Sequence, residues 1–288
     1  MITPETSHAP GGHEERALPG SPLLVARQVS VRVKDSGRVL VDRVSLAVAA
    51  GSCLGIVGES GSGKTLLCRA LLALLPRGLA ASGQVLFEGQ DVLAMTDRER
   101  RSLRGRDTSL VTQQAMTAFG PLLTLGTQMA AFFCDRLGLG KRAAHDLVRT
   151  VLERVNLPPR VAQCYPHELS GGMLQRCMTA TSLGLGSRLV VADEPTTALD
   201  AKSRRDVLLA LKGLVTEQGT ALILVSHDLG AVQTMADTIL VLQGGRCVEY
   251  GCARTVLNAP RHEYTRYLVR TRKALSARFA RFARHGGE

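Results

Sequence analysis

Gly58-Glu59-Ser60-Gly61-Ser62-Gly63-Lys64-Thr65 places glycines, a lysine and a hydroxyl at the spacing G-x-x-x-x-G-K-[ST]. Glycines let successive backbone N–H groups turn toward one anion, and a helix start adds its positive end. Lys64 suits the β- and γ-phosphates of a nucleotide, and the Thr65 hydroxyl suits Mg²⁺. The alternative is a glycine-rich turn with a surface lysine. Against it, the apolar run Leu54 to Val57 precedes the loop and Leu66 to Leu72 follows with helical spacing, giving strand, loop and helix.

Two acidic residues, Asp193 and Glu194, close the apolar run Leu189 to Ala192. Asp193 is suited to hold Mg²⁺ through water, and Glu194 to polarise an attacking water. A second apolar run, Ala221 to Val225, ends in Ser226-His227-Asp228. Ser170, Gly171 and Gly172 open a helix in the stretch Leu169 to Arg176. Exposed N–H groups there could meet a second phosphate, although standing alone the stretch would read as a capped helix start. Gln113 and His227, taken singly, would read as a surface glutamine and a capping histidine.

The elements that must hold these groups define an α/β chain. Leu23 to Val33 and Leu40 to Val48 alternate partially around the turn Asp35-Ser36-Gly37, which predicts antiparallel strands. The helix after the loop is predicted to end near Pro76, and Gln84 to Phe87 to be a short strand. From Asp97 to about Leu185 the pattern is mainly helical, best over Leu125 to Leu137, Arg142 to Val155 and Gly172 to Leu183. Short apolar runs separated by helices predict a buried parallel sheet. The expected domains are a disordered tail over 1–22, a phosphate-loop domain over 23–260 with a helical insertion at about 97–185, and a basic terminal helix over 261–288. In that helix Tyr264, Leu268, Leu275, Phe279 and Phe282 line one face among arginines. Two readings stand for it: an interfacial helix favouring anionic lipid, or a helix packed on the body.

The 288 residues, 45% hydrophobic, are enough for one large core or two packed lobes. No apolar run approaches the roughly 18 residues of a membrane span, and Met1 to Pro22 has no signal-peptide pattern. A cytosolic location is expected. Seven cysteines, odd in number and without a C-x-x-C pair, suggest reduced core thiols rather than a metal or disulfide framework. The net charge of +11 asks for an anionic partner without choosing one. Aromatics at 3% and the absence of Trp speak against base-stacking recognition of single strands.

Together, Gly58 to Thr65, Gln113, Leu169 to Arg176, Leu189 to Glu194, Thr197-Ala198-Leu199-Asp200 and His227 resemble the ATP-binding subunits of ABC transporters. The resemblance runs from Leu23 to about Tyr267. It implies a P-loop NTPase core with an antiparallel β subdomain and a helical subdomain, and ATP and Mg²⁺ as cofactors. It also implies a head-to-tail pair in which one phosphate loop faces the partner's Ser170 and Gly172. Gln113 would contact Mg²⁺ and sense the permease, Asp200 would cross the interface, and His227 would contact the γ-phosphate. The implied partners are a second ATPase subunit (a paralogue or a copy), two transmembrane permeases and, indirectly, an extracytoplasmic solute-binding protein. The implied location is the cytoplasmic face of the membrane, with no nucleic acid.

Within the family, Gly58 to Thr65, Met116 to Pro121, Val248 to Gly251 and Asn258 to Thr265 look like the peptide and nickel importer branch. Ser170 to Arg176 and the absence of cysteines after Cys252 look most like subunits importing nickel or metal–opine complexes. Thr112 and Gln114-Ala115 depart from the family's usual Phe and acidic-Pro around the glutamine. Val33 stands where an aromatic residue usually stacks on adenine, and Arg32 or Arg38 could take its place. A DNA-repair or chromosome-organising ATPase would carry a long heptad arm between Lys64 and Ser170, and this interval is short. Translation-associated relatives carry two cassettes, and one is present here. A non-transport regulatory ATPase stays as the alternative.

Overall fold

A computed structural model describes residues 22–197 and 199–272. Residues 1–21 of the expected tail therefore lie outside the described residues, while Pro22 already begins a strand. Strands β1 (Pro22–Val33) and β2 (Val39–Ala49) pair antiparallel, as their alternation predicts. The alternation is only partial because β1 changes phase midway. Leu24 and Ala26 are buried before a register shift, and Val29 and Val31 after it. Gln28 sits at the shift with φ 49°, and Gly83 on the facing strand accommodates its carbonyl, where a Cβ would come within 2.5 Å. One extra residue thus keeps both halves of β1 facing the same core.

Strand β3 (Cys53–Val57) leads through the phosphate loop into helix α1 (Lys64–Leu71). The helix stops at Leu71 rather than near Pro76, because Ala73 takes φ 50° and turns the chain away. Strands β4 (Leu79–Phe87), longer than the predicted Gln84 to Phe87, and β5 (Gln90–Asp91) complete a sheet of order β2-β1-β4-β5. Helix α2 (Asp97–Leu103) starts with a capping box between Thr96 and Glu99.

The stretch read as mainly helical contains one strand, β6 (Thr108–Val111), followed by α3 (Leu125–Leu137), α4 (Lys141–Arg154) and α5 (Gly171–Leu185). Strands β7 (Leu189–Asp193) and β8 (Ala221–Val225) flank α6 (Ala201–Gln218). Helix α7 (Leu229–Met235), the hairpin β9 (Thr238–Gln243) and β10 (Arg246–Cys252), and α8 (Ala253–Asn258) follow. The backbone is helical again over 263–272. The second half of the expected terminal helix, with Leu275, Phe279 and Phe282, lies outside the described residues.

The larger sheet has the order β10-β9-β3-β8-β7-β6, parallel except for β10. It is buried on both faces, which explains the unbroken apolar runs of β3, β7 and β8. Val190, Ala192, Leu222 and Leu224 face the helices α3 to α6, while Leu189, Val191, Ile223 and Val225 face α1 and the antiparallel sheet. All seven cysteines are free. Burial pushes the Cys177 thiol up to about 12 and Cys247 up to about 11, so these are inert packing groups.

Candidate functional site

The C-terminal ends of β3, β7 and β8 converge, and each carries part of the site. After β3 the chain must turn sharply under strand β9. At Gly58, φ is 156° and a Cβ would lie 2.2 Å from the Leu242 carbonyl oxygen, so no side chain fits. Gly63, at φ 100°, caps α1 without a side chain and leaves the helix's first N–H groups free for a ligand. Between them Glu59, Ser60 and Gly61 are exposed, whereas Ser62 is buried and its Oγ has no hydrogen-bond partner among the described residues.

Lys64 is only 7% exposed, and its Nζ donates to the carbonyl oxygens of Gly58 and Glu59, 2.8 Å in each case. Burial pushes its pKa down, and the carboxylates of Glu194 and Asp193 pull it back up. The Thr65 hydroxyl donates to Asp193 Oδ1 at 3.1 Å. Asp193, at the end of β7, is held above the usual carboxylate range by burial, against the hydrogen bond from Thr65. Asp193 and Thr65 thus form a pair of hard oxygen donors beside the loop, a donor set that fits Mg²⁺.

Glu194 takes φ 52°, a conformation that a side chain with a Cβ rarely adopts. Its N–H donates to the Val225 carbonyl at 3.0 Å, pinning it between β7 and β8. Such a backbone costs about 1–3 kcal/mol and persists where neighbours enforce it. The carboxylate is held by the Thr197 hydroxyl at 2.8 Å and by His227 Nδ1 at 2.7 Å. His227 projects from the exposed turn after β8, which is tied back by Ser226 N–H to the Ile56 carbonyl at 3.2 Å.

A second group forms where α5 and α6 start. The Ser170 hydroxyl caps α5 by accepting the Met173 N–H at 3.3 Å. Gly172 packs on α6, where a Cβ would meet Ser203 Oγ at 2.7 Å, and Gly171 has open space beside it. Asp200 caps α6 by accepting the Ser203 N–H at 2.9 Å, and the Ser203 hydroxyl and N–H beside it hold its pKa down.

The structure therefore bonds the loop 58–65 to Asp193 through Thr65, and Glu194 to His227, the two pairs meeting at the adjacent residues 193 and 194, and gathers Ser170, Gly171, Gly172 and Asp200 separately. Gln113 is exposed on the loop after β6, and its side chain makes no hydrogen bond among the described residues.

Sequence reasoning assigned no role to three side chains that brace these groups. Buried Gln175 donates from Nε2 to the Thr112 carbonyl at 3.0 Å, tying α5 to the start of the Gln113 loop. Arg176 pairs with Asp206 at 3.3 Å across α5 and α6. Tyr264 accepts the Glu59 N–H. Gln175 and Arg176 lay inside a motif already singled out, so position was the available signal. Nothing in the sequence joined Tyr264 to Glu59.

A nucleotide-type phosphate loop, an acidic strand end and a separate serine–glycine helix start define a cassette-type P-loop ATPase. A model described as ABC transporter matches residues 41–197. The metal-staphylopine import system ATP-binding protein CntD of Staphylococcus aureus is 35% identical over 259 residues, spanning 89% of this chain and 96% of that protein. The oligopeptide transport ATP-binding protein OppD of Salmonella typhimurium is 37% identical over 240 residues, spanning 83% of this chain and 72% of that protein. Among solved structures, the dimeric bacterial ABC transporter cassette MJ0796 matches with a TM-score of 0.72 at 25% identity, covering 80% of this chain and 99% of that one. The cbiO1 structure from Clostridium perfringens matches in fold, with a TM-score of 0.69 at 20% identity over 84% of this chain and 97% of that one. The chain belongs to the ABC transporter family, as an ATP-binding, ATP-hydrolysing subunit.

Proposed function

We propose that the chain energises an importer of metal chelates, nickel among them, or of oligopeptide-type solutes, and that ATP is hydrolysed at the group around Lys64, Asp193 and Glu194. The observation that carries the catalytic part is the contact network itself, in which Thr65 meets Asp193 while Glu194 meets Thr197 and His227. In this reading Gly58, Glu59, Ser60, Gly61, Ser62 and Gly63 wrap the phosphates with Lys64. Thr65, Asp193 and Gln113 hold Mg²⁺, which when bound neutralises phosphate charge. Glu194 takes the proton of the attacking water, and His227 holds the γ-phosphate side. The names of the relatives, metal-staphylopine import and oligopeptide transport, support the solute class.

Ser170, Gly171, Gly172 and Asp200 serve the nucleotide of a second ATPase subunit, a paralogue or a copy of this chain. The open space beside Gly171 suits an anion approaching from outside the chain. Permease docking is supported by Met116, Leu122 and Leu123, which flank the Gln113 loop and are exposed by 53%, 86% and 53%. A cavity of about 430 Å³, lined in part by Arg104, Phe119, Phe132 and Met178, lies close by. Apolar side chains left in water beside a cavity suit a short permease helix. Among the described residues no helix is long and apolar enough to cross a membrane. In this reading the permeases supply the pathway, and the chain sits peripherally on the membrane's cytoplasmic face. The solute-binding protein acts through the permeases, and nucleic acid has no part.

The test is reconstitution of the chain with its permeases and binding protein in proteoliposomes. ATP-driven uptake of a chelated metal or a peptide is expected, and ATPase activity indifferent to permeases and solute would overturn the transport reading.

A further inference from the structure

We infer that Tyr264 is a positioning residue for the phosphate loop, its hydroxyl fixing the peptide unit whose carbonyl holds Lys64. The Gly58 carbonyl and the Glu59 N–H belong to one peptide plane. Lys64 Nζ donates to the carbonyl on one side at 2.8 Å, and the N–H donates to Tyr264 Oη on the other at 2.8 Å. Turning this plane over would change ψ of Gly58 and φ of Glu59 together, and on the Gly58 side there is no Cβ to resist. Its space is closed to one, because a Cβ would collide with the Leu242 carbonyl. No side chain at that position can lock the plane, so hydrogen bonds from outside must do it.

Tyr264 can act as an anchor because its own position is fixed. Its ring is 7% exposed and packs in the same core as Val256, Leu257 and Val269. The approach to its helix is held by Glu249 of β10, whose carboxylate accepts the N–H groups of Arg261 at 2.9 Å and His262 at 3.0 Å. At the far end Arg272 donates to Gln233 of α7, the helix that begins directly after His227-Asp228. The segment over 261–272 thus runs from the sheet edge to the loop's first peptide and on to the helix behind His227. Burial also pushes the phenol's pKa up, so it stays a neutral hydroxyl.

This rests on ATP binding at the phosphate loop, and the experiment separates the two claims. Mg-ATP hydrolysis by the full chain is measured for the parent, Tyr264→Phe and Glu249→Gln, and ATP binding by titration for the parent and Lys64→Ala, with melting curves. Tyr264→Phe keeps the ring and removes only the hydroxyl. Loss of one hydrogen bond that orders the loop should raise KM for ATP roughly threefold to tenfold, with kcat unchanged. Glu249→Gln, which loosens the helix approach without touching the loop, should raise KM in the same direction. It supplies the reading should Tyr264→Phe fail to fold. An unchanged KM, including lower turnover or earlier melting at unchanged KM, overturns the inference, since a merely structural tyrosine would act that way. If Lys64→Ala leaves the affinity for ATP unchanged by titration, the placement of ATP fails instead.

Discussion

His227 Nδ1 and the Thr197 hydroxyl converge on one oxygen of Glu194, Oε2, at 2.7 and 2.8 Å. With Oε2 doubly engaged, Oε1 is left to accept a proton from water, and the rotamer of the carboxylate is fixed from both sides. His227→Ala should therefore lower kcat more than ATP affinity. Thr197→Val should do the same less severely, since one partner remains. Steady-state kinetics on both variants checks this, and loss confined to KM would contradict it.

Lys64→Ala removes a buried ammonium held by two carbonyl oxygens. Hydrogen bonds to charged groups contribute about 1.5–3 kcal/mol each, so ATP affinity should fall at least about tenfold by the usual conversion. Titration with ATP reads it directly.

Asp193→Asn should separate stability from function. Burial raises the pKa of Asp193 above its ordinary 3.8, so the folded chain holds the proton more tightly than the unfolded one. Stability without nucleotide then falls as pH rises from about that ordinary value through the raised one, and the charged form carries the loss at neutral pH. The amide removes this cost. The variant should melt higher at pH 7 without nucleotide and match the parent more closely in acid, while hydrolysis and Mg²⁺-dependent affinity collapse. A parent-like melting temperature at pH 7 would contradict the electrostatic account.

Val33 is half-buried at the end of β1, where its N–H closes the turn on the Arg38 carbonyl at 2.9 Å. An aliphatic side chain offers adenine contact without stacking, and base–aromatic stacking adds about 1–3 kcal/mol. The parent should prefer ATP over GTP only modestly, and Val33→Tyr should bind ATP more tightly. Titrating both nucleotides against both proteins decides it.

The head-to-tail pairing can be tested by mixing two inactive variants, Lys64→Ala and Ser170→Arg. In a mixed pair of copies, one composite site carries both lesions and the other carries none. Hydrolysis should reappear on mixing. Activity no greater than the sum of the separate variants would contradict a site shared between copies.

How much of this was legible beforehand depended on burial. Strands β3, β7 and β8 are covered on both faces and so read as continuous apolar runs, with their chemistry at the ends. Helix α3 was read with its observed ends, Leu125–Leu137, because Gly138 in the left-handed region stops it. Strand β6 gave no such signal. It is four residues long, half polar and at the sheet's edge. Strand β10 gave little signal because it is an edge strand of half-buried residues, whereas β9 was missed although Ile239 to Leu242 form a buried apolar run like those of β7 and β8. Phosphate-loop chemistry was readable because it is local. The grouping of Asp200 with Ser170 and Gly172 came from resemblance alone. The Glu59–Tyr264 bond spans 205 positions, and no local pattern announces it.

The central claim is that Glu194 is the base that activates water. Glu194→Gln preserves the shape of the side chain and can still meet Thr197 and His227, but it cannot take a proton. Measured with saturating Mg-ATP, its hydrolysis should fall roughly 10²- to 10⁴-fold, the range of a general base. ATP affinity should stay near that of the parent, and the ATP-bound pair should persist. Hydrolysis at the parent rate would contradict the account.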